Sequence, residues 1–382
     1  MSIEIQSKLP NIGTTIFTVM SALSKKHDAI NLSQGFPNWD CDPVLKNLVN
    51  HYVNNGYNQY APMAGVSKLR AQLANKIKAL YQLEIDIEKE ITITAGATQG
   101  IYTAISALIN KGDEVIIIEP AYDSYGPSVE VNGGKVVPYR LMAPDYKIDW
   151  DNMRALISNH TKMILINSPH NPTGKIFSAD DLHQLDALIN DTNIIVLSDE
   201  VYEHLTFGGN PHESVLKYAN LYQRSLAIFS FGKSFHSTGW KLGYIVGPEY
   251  LMEEFKKVHQ FNVFCVNHPI QCAIADYMED PQVYLDLNDF FEKKKDLFLE
   301  VISNSKFVPI PCEGTYFQMV NYAAISQEKD MAFAKRLITE HGVASIPVSA
   351  FYSNPPDDHV IRFCFAKTDE VLIEAGRKLC LV

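Results

Sequence analysis

Residues 226–244 read LAIFSFGKSFHSTGWKLGY and open with a short apolar run. Such a run, followed by turn-forming residues, is typical of a strand buried on both faces of a parallel sheet. Lys233 follows between two phenylalanines, which can exclude water from its amine, lower its pKa and make it a nucleophile. Taken alone, the pattern also fits a surface lysine whose stem covers apolar surface. Ser230 and Lys241 are candidates to bind phosphate oxygens.

Similar apolar runs, several rich in β-branched residues, precede this stretch at Val115–Ile118, Met163–Ile166 and Ile194–Leu197, and a further strand is predicted at Ile91–Thr94. Amphipathic stretches lie between them and predict helices at Ala97–Asn110 and Ala179–Asn190. Strands that alternate with helices predict an α/β fold, in which helices cover both faces of a mostly parallel sheet.

The pattern changes near residue 280, where charged helices are predicted at Asp289–Ser303 and Asp330–His341. Short strands are predicted around Tyr316–Val320 and Val360–Phe365, which together with these helices indicate a smaller α+β lobe. The first 40 residues contain helical and extended pieces that could join this lobe. We therefore expect an N-terminal arm and part of the small domain at 1–40, a large domain at 41–285 and a small C-terminal domain at 286–382.

Composition excludes several classes of protein. The 382 residues carry a formal net charge of −11, which disfavours nucleic acid and anionic lipid as partners. No apolar run is long enough for a membrane helix, and the N-terminus lacks the features of a secretory signal. The six cysteines form no C-x-x-C pair or zinc-ligand cluster. We expect free thiols, no metal site and a cytoplasmic location.

Polar segments follow the other predicted strands, where an open α/β sheet binds its ligands. Ala97 and Thr98 begin a helix after a glycine, so their N–H groups could hold a phosphate, although an ordinary strand-to-helix turn explains the pattern as well. The segment does not match G-x-G-x-x-G, the pattern typical of dinucleotide-binding sites, so the sequence does not indicate a dinucleotide site. Asn171 lies in a Pro-rich loop that is either a rigid turn or a ligand contact.

Asp199 ends a buried strand, where a carboxylate is costly unless it meets a cation. It could pair with a protonated ring nitrogen, and Tyr202 could donate a hydrogen bond to the same ligand. The alternative is that Asp199 caps the N-terminus of a helix.

The segments N-P-T-G, S-D-E-V-Y, S-F-G-K and T-G-W-K-L-G-Y occur in this order, each at a strand end. Together they resemble the class I and II aminotransferases of the fold-type I pyridoxal-phosphate enzymes, over nearly the whole chain. The resemblance implies a large domain with a mostly parallel seven-stranded sheet covered by helices, and a smaller α+β domain formed by both chain termini. It also implies pyridoxal 5′-phosphate as the cofactor.

By this resemblance, Lys233 forms the Schiff base with the cofactor and moves the proton during catalysis. Asp199 faces the pyridine nitrogen, and Tyr202 and Asn171 hydrogen-bond the ring oxygen. Tyr122 stacks on the ring. The phosphate is held by Ala97, Thr98, Ser230 and Lys241, and by Tyr60 of the neighbouring subunit of a homodimer.

The resemblance assigns the substrate carboxylate to Arg362, helped by Asn171 and the backbone at Gly35. Without the resemblance, Arg362 could equally be part of a structural ion pair. The predicted side-chain pocket contains Phe17, Phe36, Tyr125 and, from the neighbouring subunit, Phe264, although each could equally belong to the core. No segment offers a second cation for a distal carboxylate, so we expect a large neutral amino acid as substrate.

Lys241 departs from the arginine found in much of the wider family, and the G-W-K form resembles the methionine aminotransferases and the kynurenine aminotransferases (glutamine transaminase K). The predicted activity is transfer of the amino group of methionine or an aromatic amino acid, with glutamine and kynurenine as further candidates, to a 2-oxo acid by a ping-pong mechanism. One rival is a cysteine-S-conjugate β-lyase on the same fold. A more remote rival is a non-catalytic effector-binding module, which would need a basic DNA-binding segment.

Overall fold

The computed structural model describes residue 3 and residues 5–382. Its strands, in chain order, are β1 (Ile30–Asn31), β2 (Ile91–Thr94), β3 (Glu114–Glu119), β4 (Lys135–Arg140), β5 (Thr161–Asn167), β6 (Ile195–Asp199), β7 (Ser225–Ser230), β8 (Gly243–Val246), β9 (Val308–Pro309), β10 (Phe317–Asn321), β11 (Val343–Ala344), β12 (Ile346–Pro347) and β13 (Val360–Cys364).

Its helices are α1 (Ile16–Lys26), α2 (Pro43–Asn54), α3 (Ser67–Tyr81), α4 (Ala97–Leu108), α5 (Tyr125–Val131), α6 (Trp150–Ala155), α7 (Ala179–Ile189), α8 (Ala219–Tyr222), α9 (Phe231–Ser234), α10 (Glu249–Asn262), α11 (His268–Tyr277), α12 (Gln282–Leu285), α13 (Leu287–Val301), α14 (Asp330–His341) and α15 (Asp369–Leu379). Short 3₁₀ helices lie at Val215–Lys217, Thr238–Trp240 and Val348–Phe351.

The large sheet has seven strands in the order β2-β8-β7-β6-β5-β3-β4. Strand β8 pairs antiparallel with β2 and β7, and the remaining neighbours pair parallel. This confirms the predicted α/β fold with a mostly parallel sheet. All five strands predicted for it are present, and β2 has the predicted bounds.

Both faces of the sheet are buried, as a parallel sheet requires. Along β3, Val115 and Ile117 enter one hydrophobic cluster, whereas Ile116 and Ile118 enter the other. Because side chains alternate across a strand, the continuous apolar run of β3 supplies both clusters. Some of the covering helices begin where the sequence favours a cap. Helix α7, for example, begins with a capping box in which Ser178 and Asp181 bond each other's backbone N–H groups.

Two strands of the large sheet, β4 and β8, were not predicted. Strand β4 is at the edge of the sheet and begins with an exposed lysine, so its sequence lacks the apolar run of an interior strand. Strand β8 lies inside the sheet, but its four residues follow the polar stretch that ends at Lys241. Such a short run gives little periodicity for a prediction.

The small lobe contains a four-stranded antiparallel sheet in the order β12-β13-β10-β9. Helix α14 has the predicted bounds, and α13 and both predicted strands are shifted by one or two residues. The N-terminal part of the chain joins this lobe, since β1 pairs parallel with β11 and Cys364 N–H donates to Leu32 O over 2.8 Å. The domain boundaries remain predictions, and residues 1, 2 and 4 of the arm lie outside the described residues.

Within residue 3 and residues 5–382, no helix is both long and apolar enough to cross a membrane. The same residues contain no group of three or more His, Cys, Asp and Glu side chains that could hold a metal ion. The cysteines at 41, 265, 272, 312, 364 and 380 are free thiols.

Candidate active site

A cavity of about 260 Å³ lies where the loops after β2, β3, β5, β6 and β7 meet the small lobe. The carboxyl ends of these strands share one edge of the sheet, which brings residues far apart in sequence together. Most of the residues predicted for the site line this cavity: Phe17, Gly35, Phe36, Ala97, Thr98, Tyr122, Tyr125, Asn171, Asp199, Tyr202, Ser230, Lys233, Lys241 and Arg362.

Lys233 projects into the cavity from the short helix α9. Phe231 and Phe235, two residues before and after it in the sequence, are buried, and their rings stack on each other at 5.9 Å. The Lys233 amine donates hydrogen bonds to Gly35 O over 3.2 Å and to Tyr316 Oη over 3.0 Å. Burial lowers the pKa of Lys233 from 10.5 to about 8. Roughly a tenth of the amine is therefore uncharged at pH 7, far more than for an ordinary lysine, and a nucleophile or a base requires this form.

Asp199 ends β6 and is buried at the base of the cavity. Its Oδ2 accepts a 2.5 Å hydrogen bond from Tyr125 Oη, and its Oδ1 accepts one from Val201 N–H over 3.2 Å. Burial raises the pKa of Asp199 to about 6, because a carboxylate loses its hydration there. A turn rather than a helix follows Asp199, so the alternative of a helix N-cap is wrong.

The loop after β2 provides a concave surface for an anion. Gly96 has a φ of +81° and precedes α4, whose first turn has no side-chain cap. The N–H groups at Ala97 and Thr98 are thus left for a ligand. Lys241 lies beside them, since a Cβ added at Gly96 would be 3.4 Å from Lys241 Nζ. With Ser230 also on the cavity wall, the arrangement suits a phosphate dianion.

Arg362 extends from β13 of the small sheet and is 1% exposed. Its Nη1 donates to Asn171 Oδ1 over 2.6 Å, and its Nη2 donates to Ser33 O over 3.2 Å. Asn171 is itself fixed, because its backbone N–H donates to Asn167 Oδ1 over 2.8 Å and Asn167 Nδ2 donates to Asp199 O over 2.8 Å. The guanidinium is therefore held by the large domain and by the N-terminal segment.

The guanidinium of Arg362 has aromatic neighbours but forms no salt bridge with a carboxylate of the described residues. Its carbon lies 3.8 Å from the centroid of the Phe317 ring, and its Nε lacks a hydrogen-bond partner within the described residues. In that part of the chain the arginine salt bridges involve Arg70 and Arg336, so the alternative of a structural ion pair for Arg362 is wrong. A buried guanidinium of this kind suits a ligand carboxylate.

Three residues that line the cavity or contact its lining residues were not singled out from the sequence as site residues. Tyr316 accepts a hydrogen bond from the Lys233 amine. Phe317 stacks on Arg362. Lys367, which is buried, donates to Phe36 O over 2.7 Å and to Gln34 O over 3.3 Å, and so holds a segment of the cavity wall. Their sequence context is that of an ordinary small lobe, and only the packing of the two lobes brings them to the cavity.

Tyr60 and Phe264 lie outside this cavity, on the surface of the chain. Tyr60 is 81% exposed and Phe264 is 47% exposed, and their rings make an edge contact at 5.4 Å. Their predicted roles concern the active site of a neighbouring subunit, and they remain predictions.

Comparisons with known proteins define the family. Residues 27–379 match the family described as aminotransferase class I and II. The chain is a class I/II aminotransferase. This aminotransferase is 46% identical to the methionine aminotransferase of Escherichia coli over 98% of the chain and 97% of the relative. It is 32% identical to kynurenine–oxoglutarate transaminase 1 of Mus musculus, over 100% of the chain and 98% of the relative.

The fold of this aminotransferase agrees with that assignment. A crystal structure of a methionine aminotransferase from Escherichia coli superposes with a TM-score of 0.98, at 45% identity, and covers 100% of both chains. The protein is thus an enzyme that transfers amino groups of amino acids. None of these relatives supports the β-lyase or the effector-binding module over the aminotransferase.

Class I and II aminotransferases are pyridoxal-phosphate enzymes. The cavity of this aminotransferase has the donor set that such a cofactor needs, with an amine at Lys233, a buried carboxylate at Asp199 and an anion-binding surface at Gly96 and Lys241. The residues present therefore fit the group.

Proposed function

We propose that the enzyme binds pyridoxal 5′-phosphate in the Lys233 cavity and transfers the amino group of a large neutral amino acid, methionine or an aromatic one, to a 2-oxo acid. The observation that carries the proposal is the presence in one cavity of a low-pKa amine at Lys233, a buried carboxylate at Asp199 and a buried guanidinium without an anion at Arg362.

The phosphate of the cofactor would be held by the N–H groups of Ala97 and Thr98, with Ser230 and Lys241. Lys233 would bond to its aldehyde, and Asp199 would face its ring nitrogen. The bound cofactor supplies the electron sink that lets an amino acid lose its α proton. Tyr122, Tyr202 and Asn171 would contact the ring.

Lys233 acts as the base and acid in this proposal. Because burial lowers the pKa of its amine to about 8, Nζ can accept the proton from the substrate α carbon and return it elsewhere on the reacting molecule. Asp199 has the complementary role, since a carboxylate in a buried site keeps a neighbouring ring nitrogen protonated when it is ionised. The Tyr125 hydrogen bond favours that ionised form.

Arg362 orients the substrate. Its planar fork matches a carboxylate, and its contacts to Asn171 and Ser33 fix the fork within the cavity. A carboxylate held there sets the direction of the α C–H bond relative to Lys233 Nζ, which favours one reaction over others. Within the described part of the chain, the Asn171 side-chain NH₂ group has no hydrogen-bond partner and can also donate to a ligand oxygen.

The lining of the cavity supports a large neutral side chain. The cations on its wall are Lys233, Lys241 and Arg362 in the described part of the chain, and each already has a role. None is left for a distal carboxylate. Phe17, Phe36 and Tyr122 provide apolar wall, with Phe17 and Tyr122 rings 6.5 Å apart. The name of the 46% identical relative from Escherichia coli, methionine aminotransferase, supports the same preference.

The proposal includes ping-pong kinetics, because the amino group would reside on the enzyme between the two half-reactions. It also includes a homodimer in which Tyr60 and Phe264 reach the neighbouring active site, which their exposure and mutual contact support. A cytoplasmic location is supported by the six free cysteines.

The test is a set of single-turnover measurements with purified holoenzyme and a panel of amino acids. Loss of the cofactor absorbance is followed with methionine, phenylalanine, glutamine, kynurenine and aspartate. We expect methionine and the aromatic amino acids to react fastest. If all of the neutral amino acids react far more slowly than aspartate, the proposed preference is wrong. Assays of pyruvate and ammonia release from a cysteine conjugate, run in parallel, measure β-lyase activity.

A further inference from the structure

We propose that Tyr316 holds the free amine of Lys233 in a fixed orientation from which it can attack the cofactor aldehyde. This inference rests on the proposed function, because it assumes that Lys233 bonds to that aldehyde. It concerns a residue of the small lobe acting on a residue of the large domain.

The geometry around the amine carries the argument. Lys233 Nζ donates to Tyr316 Oη over 3.0 Å and to Gly35 O over 3.2 Å. Tyr316 Oη donates its own proton to Gly35 O over 2.6 Å, so its lone pairs face the amine. Two acceptors match the two N–H groups of a neutral amine, and the remaining position on Nζ is then its lone pair. Both acceptors are uncharged oxygen atoms, so these two contacts orient the amine without forming an ion pair.

The packing of Tyr316 makes this contact rigid. The residue is 0% exposed, and its ring meets those of Tyr202 and Phe317 edge-on at 5.2 and 4.9 Å. Its carbonyl accepts a hydrogen bond from Phe365 N–H over 3.0 Å, which ties it to the end of β13. A phenol held this firmly fixes the direction of the lysine side chain, whereas a free lysine would sample many rotamers.

The other groups that face Lys233 belong to different elements of the fold. The titratable and charged ones are Asp199 and Tyr202 at and after β6, Lys241 after α9, and Arg362 and Cys364 on β13. Tyr202 packs edge-on against the Tyr316 ring, and Tyr316→Phe keeps that ring while it removes the hydroxyl.

The test compares Tyr316→Phe with Tyr322→Phe as a matched control. Tyr322 is also 0% exposed, follows the other end of β10, and donates one hydrogen bond, to Glu328 O over 2.7 Å. Each variant loses the hydrogen bond that its hydroxyl donates, and Tyr316→Phe also loses the hydrogen bond from Lys233. Apoenzyme is prepared from each, and two constants are measured: the rate at which added pyridoxal phosphate forms its lysine linkage, and the Kd of pyridoxamine phosphate, which has no aldehyde.

We expect the linkage rate of Tyr316→Phe to fall about three- to tenfold, as expected for one lost hydrogen bond. The Kd of pyridoxamine phosphate should stay within about twofold, because the phosphate contacts are untouched. The pH midpoint of linkage formation should move down, because the lost acceptor also stabilised the ammonium form. Tyr322→Phe should match the wild type in all three readouts.

An unchanged linkage rate and pH midpoint in Tyr316→Phe overturn this inference while leaving the proposed function intact. Failure of the wild-type chain to form the linkage overturns the proposed function and this inference with it. If Tyr316→Phe does not fold, 3-fluorotyrosine is incorporated at position 316, which keeps the ring and hydroxyl but weakens the oxygen as an acceptor. A linkage rate equal to that of the wild type in the fluorinated protein likewise overturns the inference.

Discussion

Tyr125 donates a 2.5 Å hydrogen bond to Asp199 Oδ2 although the two residues follow different strands of the large sheet. The sequence predicts Tyr125 as part of the substrate pocket, and the residue does line the cavity. Its hydroxyl, however, is directed to the carboxylate. The bond opposes the effect of burial, which alone would raise the pKa of Asp199 further. Tyr125 therefore positions Asp199 and favours its ionised form.

Tyr125→Phe should accordingly raise the pKa of Asp199 above about 6 and move the acid limb of the kcat profile to higher pH. A hydrogen bond to a charged group contributes about 1.5–3 kcal/mol, which predicts a fall of about tenfold or more in kcat near neutral pH. The measurement is kcat against pH for the wild type, for this variant and for Tyr322→Phe as control. An acid limb that does not move contradicts the role given to Tyr125.

Asp199→Asn should stabilise the apoenzyme near neutral pH while it impairs catalysis. Burial raises the pKa of Asp199 to about 6, whereas an ordinary carboxyl group has a pKa of about 4. Between about pH 4 and pH 6 the folded protein therefore binds more protons than the unfolded chain. The wild type loses stability as the pH rises through this window. The asparagine variant has no carboxyl group at this position and does not lose stability in this way. Its free energy of unfolding relative to the wild type should increase by roughly 2–3 kcal/mol from about pH 4 to pH 7.

Urea unfolding of both apoproteins across this range measures the difference. A constant difference between the two proteins would show that burial does not perturb Asp199. In the holoenzyme the same substitution should lower kcat by about 10²–10³, the usual loss when a preorganised electrostatic contact to a reacting group is removed.

Lys233→Ala should abolish turnover and the absorbance band of the cofactor–lysine linkage, because no other lysine lining the cavity is expected to bond the aldehyde. Borohydride reduction followed by peptide mass analysis should place the cofactor on residue 233 in the wild type. Lys257→Ala is a suitable control, since that lysine is exposed and pairs with Glu254 on the surface. Activity or a linkage in the alanine variant would place the reactive amine elsewhere.

Arg362→Lys keeps a positive charge but loses the planar fork and its contacts to Asn171 and Ser33. We expect kcat/KM for methionine to fall by about 30-fold or more, since removing one member of a buried hydrogen-bonded pair costs about 2–5 kcal/mol. Steady-state kinetics with methionine and with methioninol, which lacks the carboxylate, separates a loss of carboxylate binding from a general loss of activity. A loss of equal size for both compounds would show that Arg362 does not bind the carboxylate.

Lys241→Ala should weaken binding of the cofactor phosphate, whereas Lys241→Arg should retain most of it. The loss expected for one charge-assisted hydrogen bond is about 1.5–3 kcal/mol, or roughly ten- to a hundredfold in Kd. Titration of the apoenzymes with pyridoxamine phosphate, followed by fluorescence, measures it. Equal affinity of all three proteins would place the phosphate away from the Gly96–Lys241 surface.

The large sheet was predictable because its interior strands are continuous apolar runs. Edge strand β2, at Ile91–Thr94, also has the predicted bounds, and the helix after it begins at Ala97 as expected. Edge strand β4 was not predictable from such runs, because only part of it is buried. The antiparallel direction of β8 depends on pairing with β2 and β7, which a local pattern does not contain.

In the candidate site, too, some residues were predictable from local sequence and others were not. Residues that follow strands, such as Lys233, Asp199 and Asn171, were predictable because strand ends converge at one edge of the sheet. Tyr316 was not, since Thr-Tyr-Phe at the start of β10 is typical of any small-lobe strand. Its contact with the Lys233 amine arises from how the two lobes pack together, and so does the stacking of Phe317 on Arg362.

The anchoring of Arg362 has a thermodynamic consequence. Its guanidinium belongs to β13, yet it bonds Asn171 of the large domain and Ser33 near the N-terminus, so three distant stretches of the chain share one charged group. A ligand that binds this group when the stretches are assembled must, by mass action, strengthen their assembly. Carboxylate binding and the association of the two lobes are then thermodynamically linked. A monocarboxylate or dicarboxylate inhibitor would protect the boundary between the lobes from proteolysis in proportion to the fraction of sites that it occupies.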